Sequence, residues 1–227
     1  MLFVVVIFGL LLIGVLVIAL RHTSIPSIPA PAPVGLPLTV INQSTLDQAT
    51  IDAAIATVQT QVARDYIPLW GTPVPESYKV VFMDDLSVQG ALGYHDIIND
   101  KPVSYIGVNA SKAAGVSISS VVSHEILEMI TDPITNRVIV TGSSDGTSGS
   151  LYMAEICDAV EQDSYVIGTV QVSNFVTPAW FDPQNSQGPF DYNKKLTAPL
   201  QLLPGGSYIA TLSFTSAGWQ QQTAKGR

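Results

Sequence analysis

Ser123-His124-Glu125-Ile126-Leu127-Glu128-Met129 is the stretch on which the reading of this chain turns. It sits inside an apolar run, residues 117–131, whose Val121, Val122, Ile126, Leu127, Met129 and Ile130 predict a largely buried helix. Asp132-Pro133 stops that helix, because the residue before a proline disfavours the helical region. On a helix, residues four apart project from one face, one turn from each other, so His124 and Glu128 can grip a single cation. Glu125 lies about 100° further round. In H-E-x-x-H zinc proteases that position holds the general base; here Glu128 replaces the second histidine. The bland alternative is a polar network in the core. Carboxylates on a buried helix are costly unless paired or metal-bound, which favours a metal site.

A catalytic zinc takes three protein ligands and leaves a fourth position open. The third is expected from Glu155-Ile156-Cys157-Asp158-Ala159-Val160-Glu161, which begins 31 residues after His124. Residues 151–162 read as a short helix, on which Glu155 and Asp158 share a face. Either supplies the ligand, and the other hydrogen-bonds His124 and fixes its tautomer. The expected metal ligands are therefore His124, Glu128 and one of Glu155 and Asp158, with Glu125 catalytic. Zn²⁺ is the expected ion. One histidine with several carboxylates makes a harder, more anionic site than two histidines and a glutamate, so Ca²⁺ or no metal stays open.

Around this core the pattern is α+β. Residues 38–41 predict a strand. Ser44 caps a helix over residues 45–65, with Leu46, Ile51, Ile55, Val58, Val62 and Tyr66 as its buried stripe and Pro68 as its end. Strands follow at 78–83, 103–109, 137–141, 165–172, around Phe175, and at 208–214. Residues 142–150 read as a flexible Gly/Ser loop. Gly93-Tyr94-His95-Asp96 reads as a turn, with His95 read as a surface or packing residue in preference to an extra ligand or a proton shuttle. Cys157, the only cysteine, reads as a small buried hydrophobe and excludes an internal disulfide. Trp70, Trp180 and Trp219 are expected in the core or at its rim.

The chain has 227 residues, 18 acidic and 10 basic, for a net charge of −8. No cluster of basic residues exists to neutralise phosphates, so nucleic acid is not an expected partner. Residues 1–20 carry no charge and are apolar on every side. As a helix they span about 30 Å, the thickness of a bilayer's hydrocarbon core. The run is long for a signal peptide and lacks a basic leader, so an uncleaved anchor in the lipid bilayer is expected. Residues 21–37, with five prolines between 22 and 37, form a stiff linker. Residues 38–227 form the domain. The protein is thus expected to be a single-pass membrane protein of a cell envelope or virion membrane. Arg21, the only nearby charge, leaves the side of the domain open.

The chain also resembles a group of poorly characterised bacterial and phage proteins with a zincin-like metalloprotease pattern. The resemblance rests on Arg64-Asp65-Tyr66-Ile67-Pro68-Leu69-Trp70-Gly71, Gly90-Ala91-Leu92-Gly93-Tyr94-His95-Asp96, residues 123–133 and 154–161, Ser173-Asn174-Phe175-Val176-Thr177-Pro178-Ala179-Trp180-Phe181, and Leu203-Pro204-Gly205-Gly206. It implies a zincin-like mixed sheet packed on an active-site helix, and with the N-terminal segment a membrane-anchored, metal-dependent peptidase that hydrolyses peptide bonds with a metal-bound water. The strand at 103–109 would align an extended peptide, and Tyr165, Tyr208 or His95 would stabilise the oxyanion. The alternative is a non-catalytic virion or envelope protein that uses a degenerate zincin-like domain to bind other envelope or virion proteins. A third is a calcium-stabilised binding module.

Overall fold

The computed structural model describes residues 35–74, 77–142, 149–185, 187–215 and 218–224. The segment expected to be an anchor (1–20) and nearly all of the segment expected to be a linker (21–37) lie outside them. Among the described residues no single helix is long and apolar enough to cross a membrane.

The chain forms a mixed α+β domain with several sheets and few helices. The first sheet holds β1 (Leu38–Gln43), β2 (Tyr78–Met83), β3 (Gly93–Ile98) and β4 (Lys101–Gly107), in the order β1-β2-β4-β3. The first three of these neighbours run parallel; β3 is antiparallel to β4 and lies at the edge. Tyr78, Val80, Val81 and Phe82 of β2 are all buried, as expected for a parallel strand covered on both faces. Strand β3 lies where a turn was expected. Asn99 and Asp100 both have positive φ and close a two-residue hairpin into β4, and Tyr94 stacks on Tyr105 across it, centroids 4.9 Å apart.

Helix α1 (Gln48–Gln61) begins later than expected. The backbone N–H of Ser44 is held by Asn42 and that of Thr45 by Asp84, so Asp47 is the cap, accepting from the Thr50 N–H at 2.9 Å. Nor does Pro68 end the helical path. A π-turn, Val62–Tyr66, precedes a short helix α2 (Ile67–Trp70). Proline crowds the carbonyl four residues back; with the Ile67 N–H bonded to Val62 the chain widens and passes Pro68 without a break.

That π-turn buries Asp65, which accepts hydrogen bonds from Arg64 and from the hydroxyls of Tyr165 and Tyr192, each at 2.7 Å.

Helix α3 (Val108–Ala114) begins where the 103–109 strand was expected to continue; then α4 (Ile118–Thr131) crosses the domain. It packs on β3 and β4 on one side and on α1 and the hairpin β7 (Ser164–Ile167)–β8 (Val170–Ser173) on the other. All but four of its residues are buried. Ser123 joins the three elements: its hydroxyl donates to Gln61 Oε1 at 2.6 Å and accepts the Ser173 N–H at 3.0 Å. Residues 151–162 are not a helix. Strand β6 (Gly149–Met153) pairs with β5 (Val138–Gly142) and β9 (Tyr208–Ser213), and β10 (Gln220–Thr223) completes a second, antiparallel sheet. A loop and one 3-10 turn, Asp158–Val160, follow β6. The run around Phe175 contributes one isolated bridge, Val176 to Asp191, rather than a strand. Trp180 is fully buried, whereas Trp219 is about half exposed.

Burial opposes ionisation of Asp65, but Arg64 and the two tyrosine hydroxyls outweigh it and hold its carboxyl below the ordinary range. Its stabilising contribution is therefore complete above about pH 4 and fades as the pH falls through the folded value. Asp65→Ala, which strands two hydroxyls, is expected to cost about 2–4 kcal/mol at pH 7. In denaturant titrations the difference from the parent should shrink toward pH 2; a constant difference would contradict the assignment.

Candidate metal centre

Two elements of different kinds meet at His124. The geometry of α4 sets Glu128 Oε2 at 3.1 Å from His124 Nε2. The 3-10 turn brings Asp158 Oδ1 to 3.3 Å from the same nitrogen. Candidate ligand atoms of these three residues lie within 4.8 Å of one another, a grouping that could hold a metal ion. The other oxygen of Glu128 accepts the Cys157 N–H at 3.0 Å, so the loop that delivers Asp158 also orients Glu128.

Glu155 does not join this group. It is on the loop, not on a shared helix face with Asp158, and its Oε2 lies 3.8 Å from His95 Nε2. The residue facing His124 Nδ1 is Glu161, whose Oε2 is 3.8 Å away. Sequence reasoning quoted Glu161 but gave it no role. The missed signal is the turn type: residues three apart in a 3-10 turn lie one above the other, which puts Glu161 beside Asp158. His95 is also brought in, because β3 is a strand. Its side chain is 8% exposed and its Nδ1 is 3.8 Å from Glu125 Oε2.

Glu125, equally buried, is pressed against β3. A Cβ at Gly93 would stand 2.7 Å from Glu125 Cγ and Oε1, so only glycine leaves room for this carboxylate.

The cluster's protonation follows from its crowding. Burial pushes Glu155 up to about 9 and Asp158 up to about 8, and the Glu128 charge adds to both. Burial likewise raises Glu125. Burial also opposes the Glu128 charge, yet the His124 imidazole beside it holds that carboxyl below its ordinary value. Burial would lower both histidines, but the carboxylates raise His95 to about 9 and His124 well above its ordinary value. Protons thus sit where a cation would neutralise the same charges. Two buried oxygens, Glu155 Oε2 and Glu161 Oε2, have no hydrogen-bond partner.

His124, Glu125 and Glu161 open onto a cavity of about 640 Å³ whose walls also include Gly93, Ser117 and Tyr208. Among the described residues no lysine or arginine lines it. Tyr165, named as an oxyanion partner, faces elsewhere: its hydroxyl donates to Asp65. Strand β4, expected to align a peptide, is interior, and β3 occupies the edge. Cys157 is fully buried, as expected.

A scan against protein-family models, a search of curated proteins and a search of solved structures found no match to this chain.

The contact between Gly93 and Glu125 is directly testable. Gly93→Ala is expected to cost about 1–3 kcal/mol by overpacking. In the Glu125→Ala background the cost should fall by more than half. Equal costs in both backgrounds, measured by denaturant unfolding, would show that the two residues do not compete for space.

Proposed function

We propose that this protein is a membrane-anchored, metal-dependent peptidase of zincin-like type. The observation that carries the reading is the convergence of His124, Glu128 and Asp158, with His124 and the adjacent Glu125 lining a cleft. Two of the spacings between ligand atoms suit zinc. In a tetrahedral site with bonds of about 2.0–2.1 Å, ligand atoms stand ~3.3 Å apart. His124 Nε2 is 3.1 and 3.3 Å from its two carboxylate neighbours. His124, Glu128 and Asp158 would hold the ion, and the fourth position would face the cavity. An ion bound there would supply Lewis acidity to the scissile carbonyl and make a water acidic enough to attack at neutral pH.

The chain's own residues do the rest. Glu125 takes a proton from the attacking water and delivers it to the leaving nitrogen; hydroxide adds to the acyl carbon and the C–N bond breaks. Its raised pKa suits a group that must both accept and return a proton. The exposed edge of β3 can pair with an extended peptide and lay it along the cleft. Tyr208 lines the cleft and can donate its hydroxyl to the developing oxyanion. Residues 1–20 would hold the domain to a bilayer, on a side that the sequence leaves open.

The test is elemental analysis of the purified chain with a general peptide substrate. Zinc should be bound, and His124→Ala should lose it from this position. Glu125→Gln should keep the metal and lose about 10²–10⁴-fold in turnover. A chain that binds zinc but cleaves nothing supports the non-catalytic envelope or virion role instead, and one that binds no metal removes the proposal. Tyr208→Phe should lower kcat by about 10²-fold with KM little changed. A change confined to KM would make Tyr208 a binding residue only.

A further inference from the structure

We infer that a second divalent cation binds beside the first, held by His95 and Glu155 with Glu128 shared between the two positions. The inference rests on the reading of His124, Glu128 and Asp158 as a metal site. Its own support comes from His95, on β3, and Glu155, earlier on the loop than Asp158.

The His95 side chain is 8% exposed. A carboxylate oxygen lies 3.8 Å from each ring nitrogen, Glu125 Oε2 on one side and Glu155 Oε2 on the other. That distance is too long for a hydrogen bond and short enough for two ligands of one ion. Glu155 Oε2 is itself buried and has no hydrogen-bond partner. Candidate ligand atoms of His95, Glu128 and Glu155 lie within 4.8 Å of one another, the same closeness as in the His124 group. Glu128 belongs to both groups. A carboxylate shared in this way could bridge two ions about 3.5–4 Å apart, the spacing of two-metal sites.

Charge points the same way. Glu125, Glu128, Glu155, Asp158 and Glu161 gather around His95 and His124, and among the described residues no lysine or arginine lines the cavity onto which His124, Glu125 and Glu161 open. With neutral imidazoles and ionised carboxylates, one divalent ion leaves three negative charges unmatched, and two leave one. Each position offers one imidazole and carboxylate oxygens, a donor set suited to zinc or manganese. A role for His95 as a mere partner of Glu125 would leave the Glu155 oxygen stranded; a cation between them satisfies both.

Zinc stoichiometry decides. The full-length chain, stripped with chelator, is titrated with Zn²⁺ by calorimetry and the dialysed product is assayed by elemental analysis. Two equivalents are expected. His95→Ala and the isosteric Glu155→Gln should each hold one, with circular dichroism reporting that the variants fold. One equivalent in the parent, kept in His95→Ala and lost in His124→Ala, overturns the second position and leaves the first standing. Two equivalents retained in both His95→Ala and Glu155→Gln also overturn it. A parent that binds no zinc overturns both positions.

Discussion

A carboxylate removed from water needs a counter-charge close by, and α4 removes two of them at once. Glu125 and Glu128 lie on a helix that is covered by β3 and β4 on one side and by α1 and the β7–β8 hairpin on the other. Both are buried. Everything near them answers that constraint. The loop after β6 lends Glu128 a backbone N–H, the 3-10 turn sets Asp158 against His124, and β3 thins to glycine where Glu125 passes. The same loop adds two further buried oxygens that lack partners. A core built only for stability would not gather more anions around a site already short of cations. Such an arrangement makes sense as a place kept for positive charge.

The scaffold that holds this place is itself tied by polar contacts rather than by apolar packing alone. Ser123, one residue before His124, links α4 to Gln61 of α1 and to the backbone of β8. Gln61 also donates to Ser173 O and to the Tyr165 hydroxyl, and Tyr165 reaches Asp65 on the π-turn. A continuous chain of hydrogen bonds therefore runs from the π-turn to the residue beside the site. Pro68, which forces the widened turn, has a consequence some distance away: it buries the aspartate on which that chain ends.

Part of this was readable in the residues. The i,i+4 spacing of His124 and Glu128 depends only on helix geometry, and the helix announced itself by its apolar run and its Asp132-Pro133 stop. Strand β2 matched its expected bounds, because a fully buried parallel strand is a continuous apolar stretch. Asp158 was one of two named alternatives, and the fold brings it rather than Glu155 to His124. What could not be read was set by partners distant in sequence. Gly93-Tyr94-His95-Asp96 has the composition of a turn and is a strand because Tyr105 and the rest of β4 lie opposite; the Asn99-Asp100 pair was the local sign of that hairpin. Residues 151–162 alternate apolar and acidic positions in a helix-like way, yet β5 and β9 claim their first three residues for a sheet. Losing that helix separated Glu155 from Asp158 and, with His95 drawn in by β3, turned one expected cluster into two.

The central claim, that His124, Glu128 and Asp158 close on a shared cation, is tested most directly by anomalous diffraction at the zinc edge from crystals grown with the metal. The account predicts a peak about 2.0–2.2 Å from His124 Nε2 and from one oxygen each of Glu128 and Asp158. A peak elsewhere, or His124 hydrogen-bonded directly to both carboxylates with no density between them, would contradict it.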